Sequence, residues 1–323
     1  MLARGYSLRC VLFHDVADRA SSFTKGLGVT MTRRAFDQTL RFLVRHYTPI
    51  SLGDVLDGDR SGDSARPPVL ITFDDAYASV ATDAWPICVQ YGVPALFFVN
   101  ARFVGNRELS IDNLVCHVVN SEGYDAINRV ASEVVSAARP VRSLRETIGL
   151  IASLSLTARR AFYDALAHAA GLDTRAAAAQ AQLYVSEAQL AQLAAAGCEI
   201  GNHTYSHVHG RILDDCELMQ EIDWNRSVLE SMTARRVRSF SVPYGSSIDL
   251  PPHLVRHLAR RGYEAVFLGE RRMNTAVTEP SRRLYRVSLQ PGTDADLFTE
   301  IEVLPRLRAL RGALWHPSAA AGS

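Results

Sequence analysis

Residues 68–73, PVLITF, constrain this chain more than any other segment. A short, unbroken apolar run is the signature of a strand buried on both faces, the kind found in parallel sheets. The run ends in two adjacent carboxylates, Asp74 and Asp75. Neighbouring anions repel, and burying either without a partner is costly, so a positive charge is expected beside them. Similar apolar runs recur at 7–13, 94–100, 198–203, 237–243, 264–269 and 283–289. Helical patterns lie between them at 32–47, 78–92, 187–196, 215–234 and 252–262. In the first of these, Phe36, Leu40, Leu43 and Tyr47 share one face. Strand–helix alternation implies parallel strands joined by crossovers. About seven strands predict an α/β fold, a distorted (β/α)7-type barrel.

From about 105 to 185 the chain is rich in Ala and Arg, with helical periodicity and no strand pattern. This stretch reads as a helical insertion in a single barrel domain spanning 1–310. The end, 311–323, reads as a disordered tail, preceded by a basic amphipathic helix that packs on the barrel. A length of 323 residues suits one such domain. The net charge of +1 supplies no field for a polyanion, and there is no basic tract interleaved with aromatics, so nucleic acid is not an expected partner. The five cysteines, Cys10, Cys88, Cys116, Cys198 and Cys216, are scattered and include no CxxC pair. That pattern predicts reduced thiols rather than a disulfide framework. With no apolar segment near the ~20 residues of a membrane span and no leader-like start, the expected location is cytoplasmic.

Chemistry-bearing residues gather at strand ends, where barrel enzymes place their sites. Asp74 and Asp75 end one strand, His203 and His207 follow another, and His14 ends the first. The four-residue spacing of His203 and His207 would set two imidazoles on one side of a helical turn, within reach of a divalent cation. Taken alone, the pair reads first as a helix-surface feature with no ligand role. Two imidazoles and one carboxylate make the three-ligand, open-position set of catalytic zinc sites. Asp75 can join that set beside Asp74 only if the chain bends where the strand stops, because neighbours on a strand face opposite ways. Alternatively, the two aspartates are solvated loop residues, or one is a helix N-cap.

These segments resemble the polysaccharide deacetylases, carbohydrate esterase family 4 with its NodB homology domain. TFDDAY (72–77) resembles the family's TFDDG motif, GNHTYSHVH (201–209) its H-[ST]-x-x-H motif, and FSVPYG (240–245) its F-R-x-P-Y-G motif. The resemblance spans residues 8 to about 290, apart from the helical stretch. It implies Asp74 as the catalytic base and Asp75, His203 and His207 as ligands of one divalent metal ion, zinc first, with cobalt, nickel or manganese as alternatives. It also implies the Tyr244 backbone N–H as an oxyanion donor and Pro243 with Tyr244 as substrate-binding residues. Ala76 stands where the family has Gly, and Ser241 where many members have an Arg that orients the base. The C-terminal Leu-x-His that supplies the acid is missing. VLFHDV (11–16) instead resembles the circularly permuted branch, in which that His lies on the first strand, and so implies His14 as the acid.

The implied activity is metal-dependent removal of an N-acetyl group from an amino sugar or glycan intermediate. The partner is thus an N-acetylated sugar or glycan-type small molecule. A non-sugar N-acyl metabolite remains open as substrate, as does a non-catalytic carbohydrate-binding relative. A glycoside hydrolase would need its carboxyls on different strands and no metal. Arg286, near the end of the last strand, either enters the site or pairs with a surface carboxylate, and His209 lies close enough to face substrate.

Overall fold

The computed structural model describes residues 8–57, 66–137, 139–274 and 282–308. The expected tail at 311–323 lies outside the described residues. Eight short strands form the main sheet: β1 (Arg9–Phe13), β2 (Pro68–Phe73), β3 (Ala95–Val99), β4 (Glu199–Asn202), β5 (Ser239–Ser241), β6 (Ala265–Leu268), β7 (Arg282–Tyr285) and β8 (Val287–Ser288). Their order is β7-β6-β5-β4-β3-β2-β1-β8, and every neighbouring pair is parallel. A two-residue strand, Thr48–Pro49, also pairs with β2.

The two ends of this order, β7 and β8, are consecutive in the chain and separated by Arg286 alone. The predicted single strand at 283–289 is therefore a strand that changes neighbour partway. Its first half pairs with β6 and its second half with β1, in register Val11 with Val287. The nearly closed (β/α)7-type barrel thus has its seam at Arg286.

Side-chain alternation along the strands separates two apolar cores. Cys10, Leu70, Leu96, Phe98, Phe267 and Leu284 cluster inside the barrel, with Leu52 and Leu56 packed beneath them. Val11, Phe13, Val69, Ile71, Phe73, Phe97 and Val99 face outward into the larger core under the helices. Gly201 of β4 pairs with Phe98 of β3, and a Cβ there would overlap the Phe98 ring. The same two-residue period continues past the strand tips. Asp74 follows Leu70 and Thr72, His14 follows Cys10 and Leu12, His203 follows Gly201, and Arg286 follows Leu284. The barrel's inner face thereby carries four chemistry-bearing side chains to one end.

Helix α1 (Arg33–His46) buries Phe36, Leu40 and Leu43 and is capped by Thr32, whose side chain accepts from the Ala35 N–H. The predicted helix at 78–92 is a π-helical turn, Val80–Ala84, running into α2 (Trp85–Gln90). Pro86 sits in the first turn of α2, where its missing N–H costs little. Between β3 and β4 run α3 (Ile111–Glu122), α4 (Asp125–Val135), α5 (Leu144–Ile151), α6 (Leu156–Ala169), α7 (Thr174–Ala181) and α8 (Glu187–Ala195). Ser110 and Ser155 cap α3 and α6 through their side chains. Among the described residues no helix is long and apolar enough to cross a membrane.

The floor of the barrel is clamped by a buried ion pair. Arg9 on β1 donates through Nε and Nη2 to Glu302 at 2.8 and 2.7 Å, and Tyr47 Oη donates to the same carboxylate at 3.0 Å. Burial alone would raise the Glu302 carboxyl, but the hydrogen bond and charge of Arg9, then Tyr47 and Arg306, hold it below the usual range. Glu302→Ala leaves Arg9 buried without this partner and is expected to cost about 3–5 kcal/mol in urea unfolding. A group whose folded pKa is depressed stabilises above its unfolded pKa. The difference between wild type and variant should therefore be full above about pH 5 and shrink as pH falls through and below the ordinary glutamate value of about 4.3.

Candidate active site

Asp74 lies at the tip of β2, buried, with its backbone N–H donating to Phe13 O at 3.1 Å. Arg286 grips its carboxylate in bidentate fashion, Nη1 to Oδ1 at 2.7 Å and Nη2 to Oδ2 at 2.8 Å. Ser241 Oγ accepts from Arg286 Nη2 at 2.7 Å and donates to Asp74 Oδ2 at 3.2 Å. The guanidinium also sits over the rings of Phe98 and Phe267, at 5.2 and 5.8 Å from their centroids. Burial would raise the Asp74 carboxyl. The charge of Arg286, then that of His203, outweighs burial and holds the group ionised below its ordinary range.

The chain turns sharply after Asp74. Asp75 and Ala76 both have positive φ, 77° and 59°. That bend brings the Asp75 side chain back to the face Asp74 occupies. It also explains why a Gly suits the position of Ala76, since a Cβ in this region costs on the order of 1 kcal/mol or more.

His203 and His207 are not on a helix, as their spacing suggested. They lie on an irregular loop after β4 in which Thr204 and His207 have φ of 61° and 54°. The loop is held by side chains rather than by a helical ladder. Asn100 Nδ2 donates to the carbonyls of His203 and Thr204, Asn202 Oδ1 accepts from Thr204 N–H at 2.9 Å, and Glu221 accepts from Ser206 N–H at 2.8 Å. These local bonds compete with helix formation for the same backbone groups.

Asp75 Oδ1 lies 3.3 Å from His203 Nε2 and 3.4 Å from His207 Nε2. His203 Nδ1 faces the Ser241 carbonyl at 2.9 Å and His207 Nδ1 faces the Asp112 carboxylate at 2.9 Å. Both partners can only accept, so each ring carries its proton on Nδ1 and presents a bare Nε2 lone pair. Three lone-pair donors therefore converge, and Asp75 Oδ1 is buried with no hydrogen-bond partner. A cation would draw the three atoms together, and two nitrogens with one oxygen suit a divalent metal. Asp75, His203 and His207 fit that ion.

Asp74, Asp75, His203, His207, His14 and Tyr244 all line one cavity of about 280 Å³ at the barrel mouth. His14 stands on the first strand's inner face. Burial pushes its imidazole below the usual range, against the pull of Asp75 and Asp74. Tyr244 lies on the short turn Pro243–Gly245 with φ of 60°, its ring stacked on His209 at 3.7 Å. Pro243 is buried beside it, outside the cavity lining. His209 faces Tyr244 and Asp249, at 3.0 Å from the latter, rather than the cavity.

Arg286 was ambiguous in the sequence, although a charged residue in step with Leu284 on a buried strand was the available signal. Ser241 stands where many of the resembling chains carry Arg, and Arg286, at the seam, grips the Asp74 carboxylate with Ser241 beside it. Asp112 and Arg159, which hold His207 and Tyr244, gave no sequence signal, because both lie in the helical stretch.

The sequence model of the polysaccharide deacetylase family matches residues 61–266. No curated protein matches the chain. Among solved structures, the chain is similar to the Streptococcus pyogenes deacetylase PplD in complex with acetate, with 14% identity, a TM-score of 0.58, and 92% of this chain and 98% of that one covered. It is also similar to IcaB from Ammonifex degensii, with 18% identity, a TM-score of 0.55, and coverage of 93% and 98%. A third is a de-N-acetylase from Aggregatibacter actinomycetemcomitans, with 15% identity, a TM-score of 0.54, and coverage of 88% and 96%. At these identities the likenesses establish the fold.

Arg286→Met should leave Asp74 buried and unpaired and is expected to cost about 3–5 kcal/mol in urea unfolding. Arg286→Lys should recover part of that loss, because Lys restores charge without the bidentate grip.

Proposed function

The chain belongs to the polysaccharide deacetylase family, and we propose that its cavity binds the N-acetyl group of an amino sugar and hydrolyses the amide to acetate and a free amine. The observation that carries this reading is the convergence of Asp75 Oδ1 with two Nε2 lone pairs beside a separately braced carboxylate, Asp74. A divalent cation held by Asp75, His203 and His207 would polarise the amide carbonyl and acidify water. Zinc is our first choice for that cation.

The chain's own residues supply the rest. Asp74 Oδ2 or Oδ1 accepts the proton of the water that adds to the amide carbon. Arg286 and Ser241 fix the direction of that carboxylate and keep it ionised. The Tyr244 backbone N–H, on a turn that lines the cavity, would donate to the developing oxyanion, and losing such a donor typically costs about 10²–10³ in rate. His14 delivers a proton to the departing nitrogen as the C–N bond breaks. Burial lowers the His14 pKa, so the ring gives up its proton readily, and the proton that Asp74 takes from water replaces it within each cycle. Water thus splits between the products, its hydroxyl passing to acetate and a proton to the amine.

Acetate release from N-acetylglucosamine, its oligomers and its nucleotide conjugates tests the reading. Wild type should release acetate and lose that activity to a chelator. Asp74→Asn should abolish turnover while zinc remains bound in metal analysis, whereas His203→Ala should lose both. A fully active Asp74→Asn enzyme would remove Asp74 from the role of base.

A further inference from the structure

The two imidazoles of the site are braced by different parts of the chain. His203 Nδ1 is held by the Ser241 carbonyl, a barrel strand. The hydrogen bonds to the His207 ring Nδ1 and carbonyl come from the helices between β3 and β4. Asp112, in the first turn of α3, accepts from His207 Nδ1 at 2.9 Å. Arg159 on α6 donates to the His207 carbonyl at 2.8 Å and to Tyr244 Oη at 3.3 Å. Tyr244 Oη in turn donates to Asp112 at 2.9 Å. Asp112 and Arg159 are both buried.

The start of α3 is fixed by the neighbouring residue. Asn113 Nδ2 donates to Phe23 O at 2.8 Å and to Tyr77 Oη at 3.0 Å, and its Oδ1 accepts from Ser110 Oγ at 2.6 Å and Tyr184 Oη at 2.5 Å. Asp112 is thereby presented to His207 from an anchored helix start.

We propose that Asp112 is the positioning carboxylate of the cation site, so that α3 and α6 are part of the metal-holding machinery as well as the cavity wall. The inference rests on the cation reading above. The carboxylate locks the His207 tautomer, orients Nε2 toward Asp75 Oδ1 and raises the basicity of the ring as a ligand. Partners of this kind typically change metal affinity by about 10–100-fold. Arg159 ties the carbonyl of the same histidine and the Tyr244 hydroxyl that bonds to Asp112.

The test is titration of metal-free protein with cobalt(II), followed by visible absorption. Wild type should develop a cobalt band that His203→Ala abolishes. Asp112→Ala should weaken cobalt binding about 10–100-fold and shift the band. Asp112→Asn keeps an acceptor oxygen without the charge and should fall between the two. Wild-type affinity and spectrum in Asp112→Ala would overturn the proposal. If that variant does not fold, Asp112→Asn decides in the same way. A wild type that binds cobalt no better than His203→Ala would instead sink the cation site itself, and this proposal with it.

Discussion

The ion pair of Arg286 with Asp74 is the contact on which both barrel and site depend. Arg286 occupies the one residue between β7 and β8, where the last strand leaves β6 and joins β1. Its guanidinium has two hydrogen bonds to Asp74, one to Ser241 and two aromatic faces for company. A buried carboxylate at the tip of β2 would otherwise be forced toward its neutral form. The same cation that closes the seam therefore keeps the candidate base charged. It also answers the absence of Arg at position 241, since Ser241 now relays between the two charges.

Strain concentrates around the cavity. Of the nine non-glycine residues with positive φ among the described residues, five are Asp75, Ala76, Thr204, His207 and Tyr244. They lie in the loops that follow β2, β4 and β5, where the inner-face alternation is broken and Asp75, His207 and Tyr244 join the cavity lining. A straight strand delivers every second residue, so Asp74 arrives free of strain and Asp75 does not. The surrounding hydrogen bonds of Asn100, Asn202, Glu221 and Asp112 hold conformations the backbone alone would leave.

Much of this was legible in the residues. The barrel followed from the spacing of apolar runs, and the candidate ligand set from three short motifs in order. His14 reached the cavity because a strand's place in the chain does not determine its place in a closed sheet. The helix expected for His203 and His207 did not form, because spacing is blind to the side-chain bonds that capture the backbone of that loop. The strand expected at 283–289 split because pairing partners are a property of closure, which no local window contains. Asp112 and Arg159 were invisible for a related reason. They act from helices whose pattern reports only that one face is apolar, and their partners lie 95 and 48 residues away.

The seam carries a consequence for how the molecule comes apart. The short stretch 282–288 is the edge of the sheet at both of its ends, so detaching it opens the ring and strips the guanidinium from the acid at one stroke. Loosening there should not yield a gently impaired molecule. It should yield two populations, one intact and competent, the other unlatched and inert, exchanging as a single cooperative unit.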